Sequence, residues 1–209
     1  MTSDNPQPSS APFSALVARI DESCSEISPL TVRGDISGHD SSILATSALK
    51  GALLACGLSD VTYVNAPALA AERGVTSAVA TDPESPEYRS MISLRAALAD
   101  GKIVTVDGTL MGIRKVEKII AIDGFDLDLP PTENLLFLRY SDKPGVVGAV
   151  GTALGKAGIN IAGMQVARST AGGDALMAIT VDSVISEDIT ESVKKETGAN
   201  VVRSVTLVG

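Results

Sequence analysis

A chain of 209 residues, with 44% apolar and 20% charged side chains, is long enough for one or two compact domains with real cores. With 3% aromatic residues and no Trp, those cores must be built from Ala, Val, Leu and Ile. A net charge of −8 argues against nucleic acid and anionic membranes as partners, because an acidic surface gains no counterion-release free energy from a polyanion.

The start, MTSDNPQPSSAPF, has neither a positive leading segment nor an apolar core, and no apolar run reaches the ~18 residues of a membrane span. A cytoplasmic protein is expected. Residues 1–12 are rich in Pro and Ser and read as a disordered tail. From Phe13, the recurrence of Leu16, Val17 and Ile20 predicts a first helix ending before Ser28-Pro29. Leu30–Ile36 alternates as a strand, Gly38–Asp40 break it, and Asp40 or Ser41 caps a helix carrying Ile43, Leu44, Ala48, Leu49, Ala52 and Leu53. Gly57 fits the position just past that helix. Cys24 and Cys56 are isolated thiols without metal-ligand spacing, expected as small buried hydrophobes.

Val61–Val64 reads as a short strand, Ala68–Arg73 as a helical turn stopped by Gly74, and Val75–Thr81 as extended chain before the surface loop Asp82–Pro86. Tyr88–Leu98 and Lys102–Met111 form two strong strands joined by Ala99-Asp100-Gly101, a pair that tolerates positive φ. Gly112 breaks the pattern, Val116–Ile122 resumes it, and Asp123-Gly124 turns into Phe125–Leu129. Residues 13–130 therefore read as an α+β domain with a mainly antiparallel sheet.

Pro130-Pro131-Thr132-Glu133 stops the sheet and stiffens a short connection. Beyond it, across 131–209, strand 134–140, helix 146–157, strand 159–168, strand 175–182, helix 186–197 and strand 201–207 give the ferredoxin-like βαββαβ order. In the first of these helices, Val146, Val150, Ala153 and Ala157 share one face, and Gly148, Gly151 and Gly155 share the opposite one. Each glycine costs a helix roughly 1 kcal/mol. The glycine stripe is either a plain solvent face or a surface that a partner chain or neighbouring domain approaches closely.

The candidate site lies in NLLFLRYSDKPGVVGAVGTALGKAGINIAGMQV, residues 134–166. Tyr140 and Asp142, two apart as a strand runs out, project to one side. Asn160 enters the next strand after a crossover long enough to be helical, an arrangement expected to bring all three to one end of a sheet. The Pro144-Gly145 turn and the helix start beside it leave backbone N–H groups that favour an anionic head group. The composite is a cup for a small zwitterion. The bland reading is that Asp142 caps the helix, Asn160 supports a turn and Tyr140 is an edge residue. Neither metal nor cofactor is expected: no G-x-G-x-x-G occurs, and the lone histidine, His39, sits in a polar turn.

Tyr140, Asp142, Pro144-Gly145 and Gly158-Ile159-Asn160-Ile161 together resemble an ACT domain. Upstream, VTYVNAPALAAERGV, ESPEYRS, GTLMG and KIIAIDGFDLDL resemble the allosteric substrate-binding domain of long-form, actinobacterial-type D-3-phosphoglycerate dehydrogenase. The resemblance implies end-product control of serine biosynthesis, with ACT domains pairing edge to edge and L-serine at their interface. It implies ligand contacts from Tyr140 and Asp142 of one chain and from Asn160 of the other, and the Gly145 turn is a further candidate through its backbone N–H groups.

Two departures from that family stand out. The NAD-dependent catalytic portion has no counterpart here, so no activity is expected of this chain alone. Relatives also hold a second anion site between the two domains; Lys118 matches one of its basic residues, but the other positions read Asp126, Pro130 and Thr180. That site is expected to be lost or weak unless Arg114 or Lys115 substitutes.

The resulting expectation is a non-catalytic regulatory homodimer, or higher oligomer, that binds L-serine or a similar amino acid and serves a catalytic partner in cis or in trans. The alternatives are part of an intact D-3-phosphoglycerate dehydrogenase, a subunit of an iron–sulfur L-serine dehydratase, or a dimerisation module without ligand.

Overall fold

Alternating apolar residues on neighbouring strands build the first sheet. Val32 lies opposite Ile92, Leu94 opposite Val106, Val106 opposite Ile122, and Ala96 opposite Val104, all of them buried on one face. The computed structural model describes residues 24–27, 30–55, 58–73, 75, 78–98 and 103–207. The chain divides into two units, Met1–Gly124 and Phe125–Gly209.

In the first unit, strands β1 (Cys24–Ile27), β2 (Leu30–Gly34), β3 (Val79–Asp82), β4 (Ser90–Leu98), β5 (Ile103–Met111) and β6 (Val116–Ile122) run in the order β3-β2-β4-β5-β6, with β1 also paired to β4. All pairs are antiparallel except β2 with β3. The mainly antiparallel α+β expectation holds.

Helix α1 (Ser42–Ala55) turns Leu44, Ala45, Ala48, Leu49, Ala52 and Leu53 inward. Its first N–H, from Ser42, donates to the Asp40 carboxylate at 3.0 Å, and that bond holds the Asp40 carboxyl below its usual range. Leu49 and Leu53 pack with Val61, Ala66 and Ala70, joining α1 to α2 (Ala66–Glu72) in a satellite core.

Two local expectations need correction. The first helix, expected to run to residue 27, gives way at Cys24–Ile27 to β1, which pairs with residues 96–98 of β4. Ladder bonds to a strand about 70 residues away outweigh a weak helical periodicity. Val61–Val64 is not a strand: the Thr62 N–H donates to the Asn65 side chain (2.6 Å) and the Asn65 N–H to the Thr62 hydroxyl (3.2 Å). That reciprocal exchange turns the chain into α2, with Pro67 in its first turn. The segment Val75–Thr81, expected as extended chain, carries β3 from Val79, while its positions 76 and 77 lie outside the described residues. Residues 1–12, the helix from Phe13 as far as residue 23, Cys56, Gly57 and the Ala99-Asp100-Gly101 turn lie outside the described residues.

The second unit opens with β7 (Phe125–Leu129), preceded by a tight turn in which Asp123 (φ 51°) and Gly124 (φ 76°) both take positive φ, as an Asp-Gly pair allows. Gln165 exchanges both ends of its side-chain amide with the Asp128 backbone, at 2.8 and 2.5 Å, and the Arg139 guanidinium lies 5.4 Å from the Phe125 ring centroid. These contacts tie β7 to the strands that follow.

Strands β8 (Asn134–Ser141), β9 (Ile161–Arg168), β10 (Asp174–Val181) and β11 (Val201–Thr206) form an antiparallel sheet of order β11-β8-β10-β9. Helices α3 (Val146–Lys156) and α4 (Glu187–Thr197) complete the ferredoxin-like βαββαβ order. The two central strands read as nearly unbroken apolar runs because they are buried on both faces. On the face that meets the helices, Leu136, Leu138, Met177 and Ile179 pack with Val150, Leu154 and Val193.

Helix α4 carries Glu187 and Asp188 in its first turn and Lys194 and Lys195 in its last, which complements its dipole. In α3 the buried residues are Val146, Val150, Ala153 and Leu154; Ala157, expected on that face, is exposed. Ideal Cβ atoms at Gly148, Gly151 and Gly155 meet nothing within 4 Å, so no described part of this chain presses on the stripe.

Candidate functional site

Three segments converge where β8 ends: the end of β8 itself, the turn into α3, and the turn after β9. Tyr140 faces Ala175 across the ladder and is 2% exposed. Burial pushes its phenol up, the Asp142 charge pushes it further, and the Arg168 guanidinium partly offsets both. The phenol is neutral at physiological pH.

Asp142 is fastened by its backbone, its N–H donating to the Gly173 carbonyl at 2.8 Å. Its Oδ2 accepts from Arg168 Nη1 and from the Gly172 N–H, each at 3.3 Å. The turn that brings these donors is itself closed by Ser169, whose N–H and hydroxyl both reach the Asp174 carbonyl, and by the Gly173 N–H on Thr170. Asp142 therefore does not cap α3; its bonds run to the opposite turn.

The cap of α3 is Gly145, whose φ of 93° is left-handed and whose carbonyl accepts the Ala149 N–H. Lys143, Pro144 and Gly145 are exposed, so the approach to Asp142 from the helix start is open.

Asn160 stands elsewhere. In the ladder Ser141 faces Asp174 and Arg168 faces Ala175 at one end, while Asn134 and Ile161 both face Val181 at the other. Asn160, just before Ile161, is thus roughly 23 Å of strand away from the Asp142 end. Its Nδ2 donates to Asp182 Oδ2 at 2.6 Å, and its carbonyl accepts the Asp182 N–H at 3.3 Å. The expectation that one chain gathers Tyr140, Asp142 and Asn160 at one end is corrected. Both β8 and β9 run antiparallel to β10 and so parallel to each other, and a crossover between parallel strands must carry the chain back the full length of the sheet.

Sequence reasoning missed Arg168. The signal was present: the residue closes the strand after Asn160, and a strand starting at the far end must finish beside Asp142. Of the residues considered for a second anion site, Arg114 is exposed in the Gly112–Lys115 turn, and Lys118 is half-buried on β6 opposite Thr109. His39 is exposed after a short 3-10 turn. Among the described residues, no cluster of three or more His, Cys, Asp or Glu could hold a metal, and no helix is long and apolar enough to cross a membrane.

Comparison with known proteins returns the two halves separately. Residues 15–123 match the D-3-phosphoglycerate dehydrogenase intervening domain, and residues 134–198 match the ACT domain. The chain is similar to D-3-phosphoglycerate dehydrogenase of Mycobacterium leprae, at 38% identity over 92% of this chain and 36% of the relative. It is similar to that of Mycobacterium tuberculosis at 42% over 76% of this chain and 30% of the relative, and to that of Bacillus subtilis at 34% over 84% and 32%. The chain spans about a third of the length of these curated relatives.

Proposed function

Because this chain belongs to the D-3-phosphoglycerate dehydrogenase intervening-domain family and carries an ACT domain, we propose that it is a regulatory unit of serine biosynthesis that binds L-serine or a similar small amino acid. One observation carries the reading. A half-buried carboxylate, Asp142, is held by its backbone beside the neutral Tyr140 phenol and an open glycine turn at Gly145, which suits a ligand that brings an ammonium.

The position of Asn160 supports a site shared by two copies. Strand β9 is an edge of its sheet, and two such edges related by a two-fold axis perpendicular to the strands run antiparallel. That operation carries the Asn160 of a second copy toward the Asp142 end of the first. Ligand bound at such a seam favours one arrangement of the pair, by as much as its affinity differs between arrangements. Homodimerisation through the ACT domain, and a catalytic partner in cis or in trans, follow from this reading. Arg114 and Lys118, both in the first unit, are the candidates for a weak anion site.

The test is a thermal-shift series across the amino acids. A ligand at ~100 times its dissociation constant stabilises the native state by about 2.7 kcal/mol. Serine or a close analogue is expected to raise Tm, and Asp142→Ala and Asn160→Ala to abolish the rise. A flat series would overturn the reading. It would then favour a dimerisation module without ligand, a reading to which the Asp142–Arg168 pair lends some weight because the carboxylate already has a cation.

A further inference from the structure

We propose that Arg168 belongs to the same site: it occupies Asp142 in the empty state and turns to the ligand's carboxylate in the filled one, so that the site selects for molecules carrying both charges of an α-amino acid. This rests on the reading of the site as an amino-acid site.

The pair is built to open. Arg168 Nη1 lies 3.3 Å from Asp142 Oδ2, with the arginine side chain 56% and the aspartate side chain 20% exposed. An ion pair this open to water contributes only ~0–1 kcal/mol to stability, so releasing it costs little. Asp142 does not depend on Arg168 for its position, because its N–H is bonded to Gly173 and its Oδ2 also takes the Gly172 N–H. The guanidinium, in contrast, holds the carboxylate by one nitrogen, and its planar fork of five N–H donors suits a second, bidentate carboxylate.

Charge conservation supplies the selectivity. Before binding, Asp142 and Arg168 neutralise each other. An α-amino acid replaces that contact with two, its ammonium on Asp142 and its carboxylate on Arg168, and both groups stay paired. An amine without a carboxylate displaces the guanidinium and leaves it unpaired; an acid without an amine draws the guanidinium away and strands Asp142. Each such ligand trades one charge-assisted contact for another and gains little.

The test is calorimetric titration of the full chain with L-serine, ethanolamine and 3-hydroxypropionate, for the wild type and for Arg168→Ala and Arg168→Lys. The wild type is expected to prefer serine to either single-charge analogue by about tenfold or more, a difference of ~1.4 kcal/mol. In Arg168→Ala, serine weakens by about tenfold while ethanolamine binds more tightly than to the wild type, because Asp142 is freed. Arg168→Lys keeps the preference for serine. An unchanged preference in Arg168→Ala, or an equal loss for both amines, overturns the role of Arg168 while leaving the amino-acid site standing. A wild type that binds no amino acid overturns both.

Discussion

Asp142 and Asn160 lie at opposite ends of the four-stranded sheet of the second unit, Asp142 beyond the Ser141–Asp174 pair and Asn160 before the Ile161–Val181 pair. A ligand the size of an amino acid cannot touch both in one chain. Two inactive variants should therefore complement each other. Asp142→Ala and Asn160→Ala chains, each unable to bind serine, are expected on mixing to recover about a quarter of the wild-type sites, since half the pairs are mixed and each mixed pair keeps one intact site. Titration calorimetry of the separate and mixed samples reads this directly. No recovery on mixing would show that the two residues do not share a ligand.

Gly34 tests the first unit. Its φ of 77° with ψ of −151° is open only to glycine, and a Cβ there would lie 2.3 Å from the Arg89 carbonyl oxygen, which also accepts the Asp35 N–H. Gly34→Ala is expected to cost about 3 kcal/mol or more, by strain and clash together. Gly112→Ala, with a similar φ of 67° but open space around its Cβ, should cost only about 1–2 kcal/mol. Denaturant titration of the two variants reads this difference.

The glycine stripe of α3 offers the opposite sign. Since Cβ atoms at Gly148, Gly151 and Gly155 meet nothing in the described chain, each change to alanine should stabilise the helix by about 0.5–1 kcal/mol. The rise in Tm should not depend on protein concentration. A fall in stability that grows with concentration would show that a second copy packs against this face.

Tyr140 sets an alkaline limit. Its folded-state pKa is raised, by burial first and then by Asp142, so the native state favours the protonated phenol. As pH climbs past the ordinary tyrosine value of about 10, the unfolded chain loses this proton before the native one does. The native state then binds more protons than the unfolded state, and stability falls with rising pH until the buried phenol also ionises. Tyr140→Phe is expected to lose this contribution, so its stability should fall less steeply above about pH 10. Urea titrations at stepped pH compare the two slopes.

Local chemistry made much of this protein legible from residues alone. The Asp123-Gly124 turn, the Gly145 start of α3, the acidic first turn of α4 and the left-handed Gly198 that ends it are written within a few residues, and each appears where its residues place it. The βαββαβ order follows from such marks. What was missed depends on partners distant in sequence. β1 exists because residues 24–27 find residues 96–98, which no short window contains. Val61–Val64 looked like a strand because its β-branched residues are visible, whereas the exchange of bonds between Thr62 and Asn65 is a matter of geometry.

The candidate site divides along the same line. Residue type and spacing, together with the family resemblance, marked Tyr140, Asp142, Gly145 and Asn160 around one strand–helix–strand crossover, and the sequence showed the absence of a dinucleotide fingerprint. Only the tertiary structure decided which end of the sheet each occupies, which cation sits on Asp142, and that Gln165 holds Asp128. The reason is that a residue's type and its near neighbours set its local conformation, whereas the pairing of strands sets which distant groups share a volume. That pairing depends on the whole chain finding one register, and in that register Arg168, not Asn160, stands beside Asp142.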